Sequence, residues 1–446
     1  MSAEDALDLL AGLITNAKGA GAGAADAVLF KSASLSLAQR LGAPEGLERA
    51  ESDDLGLRVF VGKRQAIVSS TDISPRSLAE LAERAVAMAR AALEDPHCGL
   101  AEPPLLAREV PDLDLCDARE PGPEELAERA RRAEDAARAV KGVSNSEGAE
   151  ANWSLSRVYM AASNGFTGSY AVTRHGFGVS VLAGEGTGME RDYDFSSAVY
   201  AADLKDAEEI GRSAGEKAVA RLNPRKVRTA KVPVVYDPRV AGGLLRHLAG
   251  AINGTAVARG TSFLKDRMGK AVFRASLAIV DDPHRKRGLR SKPFDGEGCV
   301  NKRDNVVEGG TLRTWLLDLR SARQLGLATT GHAARGTSAP PAPAPTNLYL
   351  EPGPVTPTEL MSDIESGLYV TELIGMGVNT VTGDYSRGAT GFWIEQGEIA
   401  YPVSELTVAG NLTAMFANLA PANDLEFRYG IDAPTLRIDG MTVAGR

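Results

Sequence analysis

The first half of the chain alternates between helical and strand periodicity. Apolar residues recur at helical spacing over residues 3–18 and predict an amphipathic helix. A second helix is expected from Ser74 or Pro75, because a serine cap and a first-turn proline precede another apolar stripe. Two further helices are predicted, over 123–140 and over roughly 203–222.

Between these helices, apolar and polar residues alternate in the way typical of half-buried strands. Two alternating runs flank Gly62-Lys63 and predict a hairpin, and residues 144–200 predict a ladder of strands. His175 lies in this ladder, where a packed or exposed position is favoured over a ligand role. Strand patterns dominate beyond residue 226. We therefore predict an α+β fold, with an N-terminal mixed helix and sheet region followed by a mainly β C-terminal domain.

Two breaks in the pattern predict the domain organisation. Residues 95–125 are rich in proline and acid and are typical of a linker that crosses the surface, and a basic connector precedes a new strand near residue 225. The predicted units are an N-terminal α+β subdomain at 1–115, a second α+β subdomain at 116–225 and a β-rich C-terminal domain at 226–446.

The net charge of the chain bears on whether it binds nucleic acid. A formal net charge of -8 and a pI near 5.4 argue against a broad nucleic-acid surface, which needs clustered positive charge. The basic run at 284–292 is interpreted as a solvated loop. Direct contact with nucleic acid is therefore not expected.

Cysteine usage and the apolar segments indicate the compartment. The chain has 3 cysteines at wide spacings and no CxxC pair, which fits a reducing cytoplasm. The N-terminus lacks a basic region before its apolar face, and no apolar run approaches the roughly 20 residues that span a bilayer. A cytoplasmic protein without membrane insertion is expected.

The stretch GGLLRHLAGAING at 242–254 resembles a zinc-peptidase helix but lacks its ligands. Such a helix carries two histidines and a glutamate, which bind the metal and take a proton from its water. Here His247 stands alone, and Leu248 beside it has no proton-accepting group. An ordinary zinc site is therefore excluded at this helix.

The segment at 329–353 is rich in proline and fits neither helix nor strand periodicity. Its alternate prolines disfavour helix and limit strand pairing, so we expect an extended, pre-ordered segment along a surface. His332 in this segment can approach a ligand, although a solvated loop histidine is the favoured interpretation.

Nearly the whole chain resembles the TldD/PmbA family, and specifically its PmbA branch, also called TldE. The resemblance rests on long and compositionally unusual stretches at 52–74, 259–273, 334–353 and 385–412. It implies a two-part intracellular metallopeptidase. A TldD-type subunit carries a zinc helix of the form H-E-x-x-x-H and pairs with a PmbA-type subunit of the same fold.

The resemblance also implies that this chain has lost the metal site. Aligned with the active branch, Arg246 stands at the first histidine, His247 at the glutamate and Ala251 at the second histidine. The active branch takes a further cysteine ligand shortly before a Pro-Thr-Leu, but no cysteine follows Cys299 here. We therefore expect no catalytic residue and no cofactor in this chain, with zinc held by the TldD-type partner. Whether Arg246 and His247 are ordinary helix residues or contact substrate or partner is left open.

The sequence thus predicts a non-catalytic subunit of a heteromeric metallopeptidase that acts on unfolded peptides and completes the substrate chamber. A homodimer in the absence of the partner is left open. Two alternatives remain: an independent hydrolase using His332 or His175, and a regulatory protein that binds a DNA enzyme. The candidate peptide path consists of His332, Arg335, Pro341, Pro343, Pro345 and Asn347.

Overall fold

The N-terminal half is built on one antiparallel sheet of six strands. The computed structural model describes residues 2–445. The strands are β1 (Ala24–Arg40), β2 (Ala43–Val61), β3 (Arg64–Ser70), β4 (Val143–Ala162), β5 (Thr167–Ala183) and β6 (Glu190–Ala198). They lie in the order β3-β2-β1-β4-β5-β6. Because β1 pairs with both β2 and β4, this sheet continues across the boundary predicted near residue 115.

Four helices cover one face of this sheet. They are α1 (Ala3–Gly19), α2 (Pro75–Ala91), α3 (Pro123–Arg138) and α4 (Ala207–Ala220). Leucines of α1 and α2 pack on β1 to β3, and a second cluster joins α3 and α4 to β4 and β5. The four predicted helices are thereby confirmed, with the serine cap at Ser74 and a left-handed turn at Gly62 in the predicted hairpin.

Strand alternation gives this sheet two different faces. In β1, Ala27, Leu29 and Leu35 are buried beneath the helices. The residues between them point to the opposite face. From Ser32 to Ser36, alternate positions of that face are serines. We call this second face, away from the helices, the open face.

The C-terminal part contains a second six-stranded sheet, in the order β16-β15-β14-β7-β19-β17. Its strands are β7 (Ala230–Tyr236), β14 (Ser366–Ile374), β15 (Asp384–Glu395), β16 (Glu398–Asn411), β17 (Leu419–Pro421) and β19 (Leu436–Ala444). Strand β7 pairs with β14 in parallel and with β19 in antiparallel orientation.

Two smaller sheets complete the C-terminal part. One has the order β10-β9-β8-β13-β18 and the other joins β11 to β12. Their strands are β8 (Ile279–Asp281), β9 (Asp304–Glu308), β10 (Thr311–Leu312), β11 (Ala333–Ala334), β12 (Ala342–Pro343), β13 (Leu348–Leu350) and β18 (Ile431–Asp432).

Five helices accompany these sheets: α5 (Pro238–Ala251), α6 (Gly254–Ala258), α7 (Leu319–Leu325), α8 (Pro357–Met361) and α9 (Leu412–Ala417). The largest core cluster holds the leucines of α5 together with apolar residues from both larger sheets of this part, such as Leu368 and Leu348. The predicted α+β class, with a strand-rich C-terminal part, is confirmed. Within residues 2–445, no helix combines the length and apolar character that crossing a bilayer requires.

Candidate functional site

Helix α5 is built as a core helix. Asp237 caps its start by accepting a hydrogen bond from the backbone N–H of Arg239 at 2.9 Å, and Pro238 follows at the first helical position. Gly242 lets the helix approach β18, because a Cβ there would lie 2.6 Å from the carbonyl oxygen of Ile431. The helix is therefore held in one place by tight backbone contact.

The three positions that the resemblance aligns with metal-site residues differ in their surroundings. Arg246 is exposed, and within the part of the chain that the structure describes it forms no hydrogen bond or ion pair. The ring of His247 packs edge-on against Tyr385, with centroids 5.9 Å apart. Ala251 is 1% exposed and belongs to the core. Only His247 of the three carries a lone pair that can bind a metal.

Electrostatics keep His247 neutral. Burial, and then the positive charges of Arg387 and Arg246, lower the pKa of this imidazole to about 4. A cation placed beside it would meet the same two guanidinium charges. The residues at these positions therefore do not fit a zinc ion. Among residues 2–445, no group of three or more His, Cys, Asp or Glu side chains is arranged to hold a metal.

Asp432 is a neighbour of this helix that sequence reasoning missed. It lies on β18, two residues before Pro434, and is buried. Its carboxylate accepts hydrogen bonds from the backbone N–H groups of Arg428 and Tyr429 at 3.0 and 2.8 Å. Burial raises the pKa of Asp432, and the charge of Arg246 opposes that rise. Its spacing from the Pro-Thr-Leu was the available signal.

The proline-rich segment runs beside α5 and α6. Asn253, directly after α5, donates from its side chain to the carbonyl oxygen of Pro343 at 2.7 Å. Arg290 donates to the carbonyl oxygens of Pro345 and Thr346, both at 3.1 Å. Pro341 is buried at the start of this run. The structure thus brings the segment next to helix α5.

The buried side chain of Asn347 fixes the end of this run. Its amide nitrogen donates to the backbone oxygen of Asp282 at 2.7 Å and contacts Ser291 at 2.8 Å, while its oxygen accepts from the backbone N–H of Arg290 at 2.9 Å. All the polar atoms of this side chain are engaged within the protein. Asn347 therefore positions the segment.

His332 is buried, at 3% exposure, so its interpretation as a solvated loop histidine is wrong. Its Nδ1 lies 2.8 Å from Thr330 Oγ1 and its Nε2 lies 3.4 Å from Asp281. The short β11–β12 ladder draws the residue inward, because Ala344 N donates to the His332 carbonyl oxygen at 2.9 Å. Local polarity predicted solvent, whereas pairing of the backbone decided burial.

The contacts of His332 do not support an independent hydrolase. A nucleophile needs a free hydroxyl facing its base. The Thr330 hydroxyl accepts from Leu317 N at 2.8 Å and lies 3.3 Å from two backbone carbonyl oxygens. His175 is far from this group in the fold, on the helix-covered face of β5, 1% exposed and 3.4 Å from Asp117. Neither histidine is part of a nucleophilic site.

Arg335 lies apart from the other residues of the candidate peptide path. Its side chain is 2% exposed and forms an ion pair with Asp26 of β1, Nη1 to Oδ1, at 2.7 Å. It therefore lies where the C-terminal part meets the open face. The six candidate path residues are thus divided between the α5 region and this junction.

Small and polar residues occupy the middle rows of the open face. Ser34 of β1 lies opposite Ser154 of β4, which lies opposite Arg174 of β5. In the next row of the same face, Asn152 of β4 lies opposite Gly176 of β5. A cavity of about 590 Å³ lies over the β4 to β6 portion of this face. The serine alternation in β1 is the signal that predicts such a polar surface.

Two arginines without a carboxylate partner in the described part of the chain, Arg174 and Arg290, lie between the open face and α5. Burial and the nearby charge of Arg290 lower the pKa of Arg174 to about 10. Arg290 in turn has a lowered pKa, from burial and from the charge of Arg246, which Asp281 opposes. Within residues 2–445, Arg174 and Arg290 have only backbone carbonyl oxygens as hydrogen-bond acceptors. This region favours anionic groups.

Comparison with known proteins gives consistent matches over the chain. Models of the PmbA/TldA metallopeptidase match with domain 1 at residues 25–89, the central domain at 116–222 and the C-terminal domain at 229–445. The Metalloprotease PmbA of Escherichia coli O157:H7 is 40% identical over 424 residues, covering 95% of this chain and 92% of that protein.

Solved structures agree with these matches. A crystal structure from Bacteroides thetaiotaomicron, named as a candidate modulator of DNA gyrase, superposes with a TM-score of 0.90 at 27% identity and covers 98% of both chains. TldE from Thermococcus kodakarensis has the same fold, with a TM-score of 0.88 at 19% identity over 98% of this chain and 100% of that one. With matches of sequence and fold over nearly its full length, this chain belongs to the PmbA/TldD metallopeptidase family, among the PmbA proteins.

Proposed function

We propose that this chain is the non-catalytic subunit of a heteromeric peptidase and that a TldD-type partner supplies the zinc and the catalysis. The observation that carries the proposal is helix α5. It is an intact, tightly packed helix, yet an exposed arginine, a neutral packed histidine and a core alanine occupy the metal positions. The helix has kept its structural role without the ligands that a zinc site needs.

The open face supports a role in enclosing the substrate. An antiparallel sheet commonly packs one face on the core and leaves the other face solvated. Here the cavity on the second face is lined by glycines, serines and Asn152 over the strands, together with charged and aromatic residues such as Glu150, Arg191 and Phe195. Such a surface accepts an extended chain of varied sequence, because short side chains leave the space above the strands free. Its proposed substrates are unfolded peptides.

The first test compares the isolated chain with its complex. Purified alone, the chain should hold no stoichiometric zinc and cleave no unfolded peptide. Mixed with a TldD-type protein, it should form a stable complex that does both. Zinc analysis by mass spectrometry, size-exclusion chromatography with light scattering, and cleavage of a fluorogenic peptide are the measurements. Tightly held zinc together with chelator-sensitive cleavage by the isolated chain would overturn the proposal.

A pair of variants links the same test to the open face. Ser34→Trp combined with Ser154→Trp places two large rings on opposed positions of this face. Complex formation should persist while cleavage of unfolded protein falls. Glu128→Trp is the matched control, since Glu128 is exposed on α3 at the other face of the sheet. Equal cleavage by both variants would remove the open face from the substrate path.

A further inference from the structure

A small pocket lies at the end of the open face where the C-terminal part closes over it. Its volume is about 160 Å³. Phe30 of β1, Val158 and Met160 of β4, and Tyr170 of β5 form one wall, and Phe294 of the C-terminal part stands opposite. Phe294 packs edge-on against Tyr170 at 5.4 Å between centroids. The pocket is therefore mostly apolar, and the half-buried Phe30 and Tyr170 connect it to the open face.

Arg335 lies at the polar end of this pocket. The side chain is 2% exposed, Nη1 is engaged by Asp26, and Nε and Nη2 have no hydrogen-bond partner among residues 2–445. Its ion-pair partner Asp26 is also held by Arg58, whose Nε lies 3.2 and 3.0 Å from the two carboxylate oxygens. One carboxylate thus serves two guanidinium groups. The Nε and Nη2 donors of Arg335 remain available to a further acceptor.

Lys292 adds a second cation to the lining of this pocket, which also contains Asp295. Its Nζ donates to the backbone carbonyl oxygen of Ala333 at 2.8 Å. The carboxylate of Asp295 is turned to backbone groups, accepting from the N–H of Glu297 at 2.9 Å and of Cys299 at 2.8 Å. Within residues 2–445, Lys292 has no carboxylate at ion-pair distance.

The charged groups around the pocket are only partly paired with one another. Asp26 has a lowered pKa, because the stabilisation by Arg335 and Arg58 outweighs its burial, and it is ionised. Burial raises the pKa of Asp295 and of Glu297 and lowers the pKa of Lys292 and of Arg335, so it disfavours the charged form of each of these groups. Arg58 is shared between Asp26 and Glu297, its Nη1 lying 3.5 Å from Glu297 Oε1. Arg335, in contrast, is paired with Asp26 through Nη1, and Lys292 has a backbone carbonyl oxygen as its acceptor. Buried charge without a partner is costly, and a bound anion would remove that cost.

We propose that this pocket binds the carboxylate of a small apolar acid, and specifically the C-terminal residue of a peptide that lies on the open face. Its identification as a peptide terminus rests on the proposed function. The volume is below the roughly 300 to 1,000 Å³ of pockets for drug-sized ligands and suits one residue of the size of valine or leucine. Arg335 and Lys292 receive the carboxylate, and the aromatic wall receives the side chain.

Titration calorimetry on the isolated chain tests the pocket without any partner. N-acetyl-valine should bind, and N-acetyl-valinamide, which has the same shape without the charge, should bind about tenfold more weakly or not at all, as expected for one charge-assisted hydrogen bond. Lys292→Met should weaken binding of the acid by about the same factor. Lys286→Met is the matched control, because Lys286 is exposed on the same loop and does not line the pocket.

A second variant keeps the test decisive if Lys292→Met does not fold. Ala334→Phe, at the half-buried edge of the pocket, should block it and abolish binding, with the thermal melting curve as the check of folding. Equal binding of acid and amide to the folded chain, or equal effects of Lys292→Met and Lys286→Met, would overturn the pocket. If the isolated chain binds N-acetyl-valine but forms no complex with a TldD-type protein, the subunit role is overturned and the pocket is retained.

Discussion

At the scale of single residues, Arg246, His247 and Ala251 of α5 differ in burial, packing and charge. Ala251 fills the core, so a histidine there would overpack it. Arg246 adds a fixed charge at the surface of the helix. His247 packs on Tyr385 in a position where protonation is disfavoured. The sequence located all three positions, whereas their different burial came from the packing around the helix.

His247 should make stability depend on pH. Its pKa falls from 6.5 to about 4 on folding, so the unfolded state takes up the proton first as pH decreases. Stability is therefore full above pH 6.5 and is lost as pH falls toward 4, by a total of about 3 kcal/mol. Urea unfolding at several pH values should show this slope in the wild type and a smaller slope in His247→Gln.

Arg246→Gln provides the matched comparison. Removing this charge should raise the pKa of His247 and shrink the slope without abolishing it, because burial remains the main cause. Identical slopes in the wild type and in His247→Gln would show that other groups account for the acid sensitivity.

At the scale of elements, the proline-rich segment is held by its backbone. Pro343 pairs with Ala333, and the carbonyl oxygens of Pro343 and Pro345 accept from Asn253 and Arg290. The prolines restrict the unfolded chain and leave the carbonyl groups free to accept these bonds. The prediction of a pre-ordered segment rested on this restriction. Its close packing against α5 and α6 was not evident from the pattern.

Replacing Pro341, Pro343 and Pro345 by glycine should lower the free energy of unfolding by about 1 to 3 kcal/mol, since each glycine adds freedom to the unfolded chain. Peptide processing by the complex should weaken as the segment loosens. Pro340→Gly is the matched control, because Pro340 is exposed. Unchanged processing by the triple variant would remove the segment from the candidate path.

At the scale of the whole molecule, the chain reaches the C-terminal part at the stretch predicted as a linker and again beyond residue 225. The N-terminal sheet nevertheless remains one sheet on both sides of that stretch. The stretch predicted as a linker is anchored to the C-terminal part, where Arg323 donates to the carbonyl oxygens of Gly99 and Leu100 at 3.0 and 2.7 Å. Exposed Arg108 follows a further contact of this kind, in which Ala107 N donates to Gly298 O at 2.9 Å, and the next one is at Leu113, whose carbonyl oxygen accepts from Arg287 N at 2.9 Å. Few bonds therefore protect the next residues.

Limited trypsin digestion should cut after Arg108 and in the exposed basic connector near Arg225. The fragments should stay together in size-exclusion chromatography, because β1 and β4 remain paired across the first cut. Arg108→Gln should remove the first cut alone. Cleavage mainly within 232–320, with 95–120 and 222–231 untouched, would contradict the predicted division into an N-terminal α+β half and a β-rich C-terminal domain.

The sequence by itself determined the features that depend on neighbouring residues. Apolar periodicity and caps located helices such as α2, the Gly62 turn located a hairpin, and the residue types on α5 excluded a zinc helix. The family motifs added the expected fold and the expected partner. All of these are written locally, because a helix repeats every 3.6 residues and a metal ligand needs a lone pair.

Only the tertiary structure decided which distant residues meet. It buried His332 beside Asp281, moved Arg335 away from the other path residues to Asp26, and placed Lys292 near an aromatic wall. These contacts join positions far apart in the chain, and each depends on how two sheets pack. Burial and ion pairing are properties of that packing, so no local pattern of polar and apolar residues specifies them.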